Sequence, residues 1–126
     1  MFSLGDIREG IELATEKGHE RNEEVRGSIA MYCERIVRAL SRTNQDVVTV
    51  DRHSHHYQLE IHRDNGGNIV SIDVIRARHS HHGMKLTCSI IRDGDAWTAK
   101  SAAVDPLKYE RMRKRISRIA NVLEGD

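Results

Sequence analysis

Between Val25 and Leu40 the apolar residues Val25, Ile29, Tyr32, Cys33, Ile36, Val37 and Leu40 recur at three- and four-residue intervals, which puts them along one face of a helix. Upstream, Ile7, Ile11 and Ala14 continue the stripe. The pattern therefore predicts a long N-terminal helix from Leu4 to about Arg42, with Gly18 and the polar run KGHERNEE allowing a break near residues 17 to 22. Beyond this segment the period changes from 3.6 to 2. Residues 46–52 are rich in Val and Thr, and Tyr57, Leu59 and Ile61 alternate with Gln58, Glu60 and His62. Val70, Ile72 and Val74 alternate with Ser71 and Asp73, and Leu86, Cys88 and Ile90 are followed by Trp97 and Ala99. Such alternation marks strands buried on one face and wet on the other.

Turn chemistry separates these strands. Asn65-Gly66-Gly67 predicts a tight turn: built on Asn65-Gly66 it sets residue 61 opposite 70, and built on Gly66-Gly67 it sets 61 opposite 72. His81-His82-Gly83 predicts a short bulged loop. A turn at Asp93-Gly94 sets Ile90 opposite Trp97 and Cys88 opposite Ala99, so the apolar sides agree. Asp105 as a capping residue and Pro106 at the first helical position then open a C-terminal helix. Its apolar stripe is Tyr109, Met112, Ile116, Ile119, Ala120 and Leu123, and Lys108, Arg111, Arg113, Lys114, Arg115 and Arg118 cover most of the remainder. The fold class expected is α+β: a five-stranded antiparallel meander with both helices packed on one sheet face. Residues 1–126 are read as one domain, a length that supports a modest core without staples.

With one Trp, three Tyr and one Phe, the core must be mostly aliphatic. The formal charge of +1 provides no overall attraction to nucleic acid or membrane, so the local distribution of charge matters more than its sum. No run approaches the length of a membrane span, and the N-terminus lacks a basic segment followed by an apolar one. Cys33 and Cys88 fall on core-facing positions and read as buried thiols of a reducing compartment, although a disulfide between them is also open. The cytoplasm is the expected location.

The tetrapeptide His-Ser-His-His occurs twice, at 53–56 and 79–82. Either register of the central hairpin brings both copies to its open end. If the strands run that far, His53 and His55 share the helix-covered side with Arg76 and Arg78, while His56 and His79 face the other way. His62 is excluded from the group because six residues along a strand span roughly 20 Å. Arg52, Arg76, Arg78 and His55 then form an electropositive sheet end, and Lys108, Arg111 and Arg115 of the last helix add a second basic surface. Guanidinium groups suit bidentate contact with phosphate or carboxylate. This predicts a non-enzymatic binding protein for an anionic partner, either nucleic acid or an acidic protein.

A second reading is a zinc-type site held by His53, His55, His79 and His81, since histidines two apart on a strand can share one cation. That site would suit a metal-binding protein or a metal-dependent hydrolase. Glu60 and Asp73 are also expected as cross-strand neighbours, with Ser71, Thr87, Ser89 and Lys100 around them, an arrangement that fits a wet sheet face better than an acid/base pair. No motif names a reaction. The long first helix exceeds what a compact domain of this size needs, which predicts a homo-oligomer formed through its N-terminal part, Ile7 and Ile11 included.

Overall fold

The computed structural model describes residues 23–77, 84–101 and 106–125, with only the backbone described at 106–108. Helix α1 is described over residues 23–40. Five strands follow: β1 (Val47–Arg52), β2 (His55–Arg63), β3 (Ile69–Ala77), β4 (Met84–Asp93) and β5 (Ala96–Lys100). Helix α2 (Pro106–Leu123) closes the chain. The strands form one antiparallel sheet in the order β1-β2-β3-β4-β5, and two helices pack against it, so the α+β meander is present. The expected N-terminal part of the first helix, its break near Gly18 and its oligomer-forming residues Ile7 and Ile11 lie outside the described residues, as does the capping residue Asp105.

One set of register pairs links the buried strand residues. Val50 faces Tyr57, Leu59 faces Val74, Ile72 faces Ile61 and Ile90, and Ile90 faces Ala99. Directly opposed residues project to the same side, so these positions share one face. Against that face lie Val25, Ile29, Cys33, Ile36 and Leu40 of α1 and Met112, Ile116, Ile119 and Ala120 of α2, all buried in one core cluster. The helices run side by side. Arg26 sits over the Tyr109 ring at 5.1 Å near one end, and Arg35 makes a bidentate ion pair with Glu124 near the other. The opposite sheet face is covered by no element among the described residues.

Two bulges and three turns depart from the alternation expected. The β2–β3 loop is longer than a two-residue turn: Asp64 caps it, its Oδ1 accepting from the backbone amides of Gly66 and Asn68 at 2.9 Å, and Gly67 takes a φ of 81°. Ile61 faces Ile72, the second of the two registers anticipated. Val70 is the extra residue where the register shifts between His62 and Arg63, so Val70 is exposed and Ile69 packs on the core in its place. A second extra residue, Thr87, lies between Leu86 and Cys88, and its hydroxyl donates to the Val74 carbonyl at 2.8 Å. A bulge reverses the side-chain phase beyond it. Leu86, expected in the core, therefore faces solvent and is 56% exposed.

The last hairpin turns at Gly94-Asp95, not Asp93-Gly94. Gly94 adopts φ 63°, Ile90 faces Ala99 and Arg92 faces Trp97. The two-residue shift keeps the face of every side chain, which is why the apolar pattern could not distinguish the registers.

The first hairpin turns within the histidine tetrapeptide itself. Arg52 faces His55, and His53 at the turn has φ 54°. A non-glycine residue there carries local strain, least for His, Asn and Asp and most for β-branched residues. His53→Gly is expected to leave stability unchanged or raise it by up to about 1 kcal/mol, and His53→Val to lower it by about 1–2 kcal/mol. Chemical denaturation of the two variants checks this order.

Cys33 and Cys88 are buried and free, as expected of core thiols. Burial, with Cys88 nearby, pushes the Cys33 thiol up to about 12, and burial also raises Cys88. The thiolate is the nucleophile, so its fraction at neutral pH is negligible. The native protein is expected to react with Ellman's reagent only slowly and to release two equivalents of thiol promptly on denaturation. Prompt reaction of the native state would contradict the buried placement.

Candidate anion-binding corner

Strand β2 begins at His55, immediately after the His53-Ser54 turn, and carries His55 and Tyr57 on the helix-covered face two residues apart. Their rings stack with centroids 6.4 Å apart and planes inclined by 3°. From the neighbouring strands, Arg52 faces His55 and Arg76 faces Tyr57. From above, α2 contributes Arg115 and Arg118, and Arg118 Nη1 donates to the Tyr57 hydroxyl at 2.8 Å. Two strands, a turn and a helix thus place cationic side chains around one half-buried imidazole.

The electrostatics of this corner follow from that crowding. Burial holds the His55 pKa below its ordinary 6.5, and Arg118, Arg76, His53 and Arg115 each depress it further. The His55 Nδ1 atom is enclosed and has no hydrogen-bond partner among the described residues. The acids that are ion-paired among the described residues serve other groups: Asp51 bonds His56, Asp73 bonds His62, Glu124 bonds Arg35, Glu34 bonds Arg38, Glu110 meets Arg113 and Asp46 meets Arg63. Arg52, Arg76, Arg115 and Arg118 have no acidic partner among the described residues. Uncompensated like charge at close range costs free energy, and an anion placed among these groups would offset it.

Of the sequence-derived anion-binding residues, Arg52, Arg76, His55 and Arg115 are brought to this corner. Arg111 is exposed one turn before Arg115 on the same side of α2. Arg78 and the side chain of Lys108 lie outside the described residues. Arg118 and Tyr57 are site residues that the sequence pattern did not assign: the spacing of Arg111, Arg115 and Arg118 puts Arg118 on the same helical stripe, but its contact with the Tyr57 hydroxyl depends on how α2 lies over β2.

Among the proposed metal ligands, His53 and His55 do not share a strand, because the turn at His53-Ser54 takes His53 out of the ladder. The premise of two imidazoles in phase on one strand is corrected for this reason. His79 and His81 lie outside the described residues, in the connection between Ala77 and Met84, which face each other. His56 is on the open face as expected, with its Nδ1 2.7 Å from Asp51 Oδ1.

On that open face, Glu60 faces Asp73 as the pattern anticipated. His62 Nε2 lies 2.9 Å from Asp73 Oδ2, and Ser89 Oγ donates to Asp73 Oδ1 at 2.7 Å. Burial would raise the Asp73 carboxyl, but the hydrogen bonds from Ser89 and His62 outweigh it and hold the pKa below the ordinary value.

No protein-family model, curated protein or solved structure matches the chain. Among the described residues no helix is long and apolar enough to cross a membrane.

Proposed function

We propose that the protein is a binding protein that recognises a polyanionic partner, in the first place a nucleic acid, through the corner formed by Arg52, His55, Arg76, Arg115 and Arg118. The observation that carries this reading is the placing of guanidinium groups from two strands and a helix around one imidazole, with no ion pair to any of them among the described residues. The charges are extended as well as clustered. Arg111, Arg115 and Arg118 continue along α2 at intervals of about one turn, roughly 5.4 Å, a line that can follow a phosphate backbone.

Base reading has less support. Tyr57 is buried, and Arg92 lies over the Trp97 ring at 5.6 Å, so neither ring is an open stacking platform. Contacts to phosphate without sequence preference are therefore the expected mode. An acidic protein would use the same corner and is the second outcome of the test.

Binding of a fluorescent single-stranded oligonucleotide, followed by anisotropy across a salt series, tests the proposal. Three or four neutralised phosphates give a slope of log K against log salt of about −2 to −3. Salt-dependent binding of polyglutamate without oligonucleotide binding would make the partner an acidic protein. Binding of neither would remove the reading.

A pH dependence follows with a definite sign. In the free protein His55 is held neutral below its ordinary pKa by burial and by Arg118, Arg76, His53 and Arg115. A bound anion favours the imidazolium, raises that pKa and draws in a proton. Affinity is therefore expected to increase as pH falls through the pKa of the bound state toward that of the free state, and this increase should disappear in His55→Gln.

A further inference from the structure

The open face of the sheet carries a second constellation, unrelated to the basic corner. Glu60 and His62 are two apart on β2 and project together, and Asp73 of β3 faces Glu60 and hydrogen-bonds His62. One donor atom from each of the three lies within 4.8 Å of the other two. We propose that Glu60, His62 and Asp73 form a site for one divalent transition-metal ion of the zinc type.

Three features favour this assignment over two acids on a wet sheet. The set is mixed: an imidazole nitrogen and two carboxylates are the ligand types that zinc takes in sites with three protein ligands and open positions for water. Two carboxylates directly opposite on neighbouring strands repel, and the Glu60 carboxylate has no hydrogen-bond or ion-pair partner among the described residues. A cation between them would turn that cost into attraction. Finally, Ser89 already occupies Asp73 Oδ1, so Oδ2 is the oxygen left to ligate, oriented by an outer hydrogen bond of the kind that metal sites use. An ion between His62 Nε2 and Asp73 Oδ2 would replace their present hydrogen bond, with the neutral imidazole carrying its proton on Nδ1 instead.

The site is open to solvent on one side, with His62 exposed and the two acids half-buried. Its remaining positions would be filled by water, which gives the ion room to hold an oxygen ligand of a second molecule. Lys100 faces Ser89 on the far side of Asp73, where it extends the polar surface without entering the ligand triangle.

Titration of the untagged full chain with Zn²⁺ alone, read by NMR of the imidazole nitrogens, tests the assignment. Of the eight histidines, His62 is expected to show the first saturable change, complete at one equivalent. Glu60→Gln and Asp73→Asn, which preserve shape, should each weaken Zn²⁺ binding at least about tenfold, and Ser89→Ala by about tenfold through lost orientation of Asp73. Oligonucleotide binding at the basic corner should be unaffected by all three, so failure of one site is distinguishable from failure of the other. Absence of saturable binding below millimolar Zn²⁺, or first changes at His53 and His55 that survive Glu60→Gln and Asp73→Asn, would overturn the proposal.

Discussion

The double variant Arg76→Glu/Arg115→Glu is expected to lose polyanion binding by about 100-fold while remaining folded. Each arginine would supply a charge-assisted contact of about 1.5 kcal/mol. Two such contacts amount to about 3 kcal/mol, or two orders of magnitude in affinity. Reversing rather than removing the charges adds repulsion, so the figure is a lower bound. Stability should be little changed for a specific reason: neither guanidinium has an acidic partner among the described residues, and both lower the His55 pKa by like-charge proximity. Surface substitutions without such partners are usually worth less than about 0.5 kcal/mol. A coincident thermal transition with a weakened anisotropy titration is the expected pair of results. Arg115→Gln provides the milder check, because it retains part of the long side chain's packing.

Leu59→Ala is expected to have the largest effect on folding. Leu59 is fully buried in β2, facing Val48 on one side and Val74 on the other. Truncating a core leucine costs about 2–5 kcal/mol through lost transfer energy and the cavity left behind. Against a typical total of about 5–15 kcal/mol, that is a large fraction. Leu86→Ala makes the informative comparison. Leu86 occupies what simple alternation treats as an equivalent core position, yet the extra residue Thr87 turns it to solvent. Its truncation should cost under about 0.5 kcal/mol. Equal effects in urea denaturation would mean that β4 has no bulge and that Leu86 packs inside.

These two leucines also show what the chain's pattern could and could not disclose. Periods of 3.6 and 2 distinguish helix from strand, and they placed Ile29, Cys33, Ile36, Ile72, Ile90, Ile116 and Ile119 in the core, where all are found. Such periods do not count residues across a turn. A shift of two in the β4–β5 register left every side chain on its face and was invisible to the pattern, whereas one-residue bulges at Val70 and Thr87 reversed Val70 and Leu86. Bulges arise from local twist and hydrogen bonding, here including the Thr87 hydroxyl on the Val74 carbonyl, and leave no mark in hydrophobicity.

The candidate site was legible to a similar extent. Arg52, Arg76, His55 and Arg115 could be grouped from strand pairing and helix spacing. The turn at His53-Ser54 was hidden because it lacks the glycine that marks two-residue hairpin turns, so the positive φ of His53 left little sequence signal. The part played by Arg118 depends on how α2 lies over β2, a tertiary fact that periodicity does not contain. His62 was set aside because it is distant from the other histidines along the strand. It is hydrogen-bonded instead to Asp73 on the neighbouring strand, with Glu60 close by.

The most direct measurement is the pH titration of the His55 imidazole by NMR, with and without a single-stranded oligonucleotide. In the free protein His55 should titrate below 6.5, held there by burial and the surrounding arginines. With the polyanion bound its titration should move upward, and Arg76→Glu/Arg115→Glu should abolish the movement. An oligonucleotide that binds while the His55 titration stays where it was would contradict the basic corner as the site of recognition.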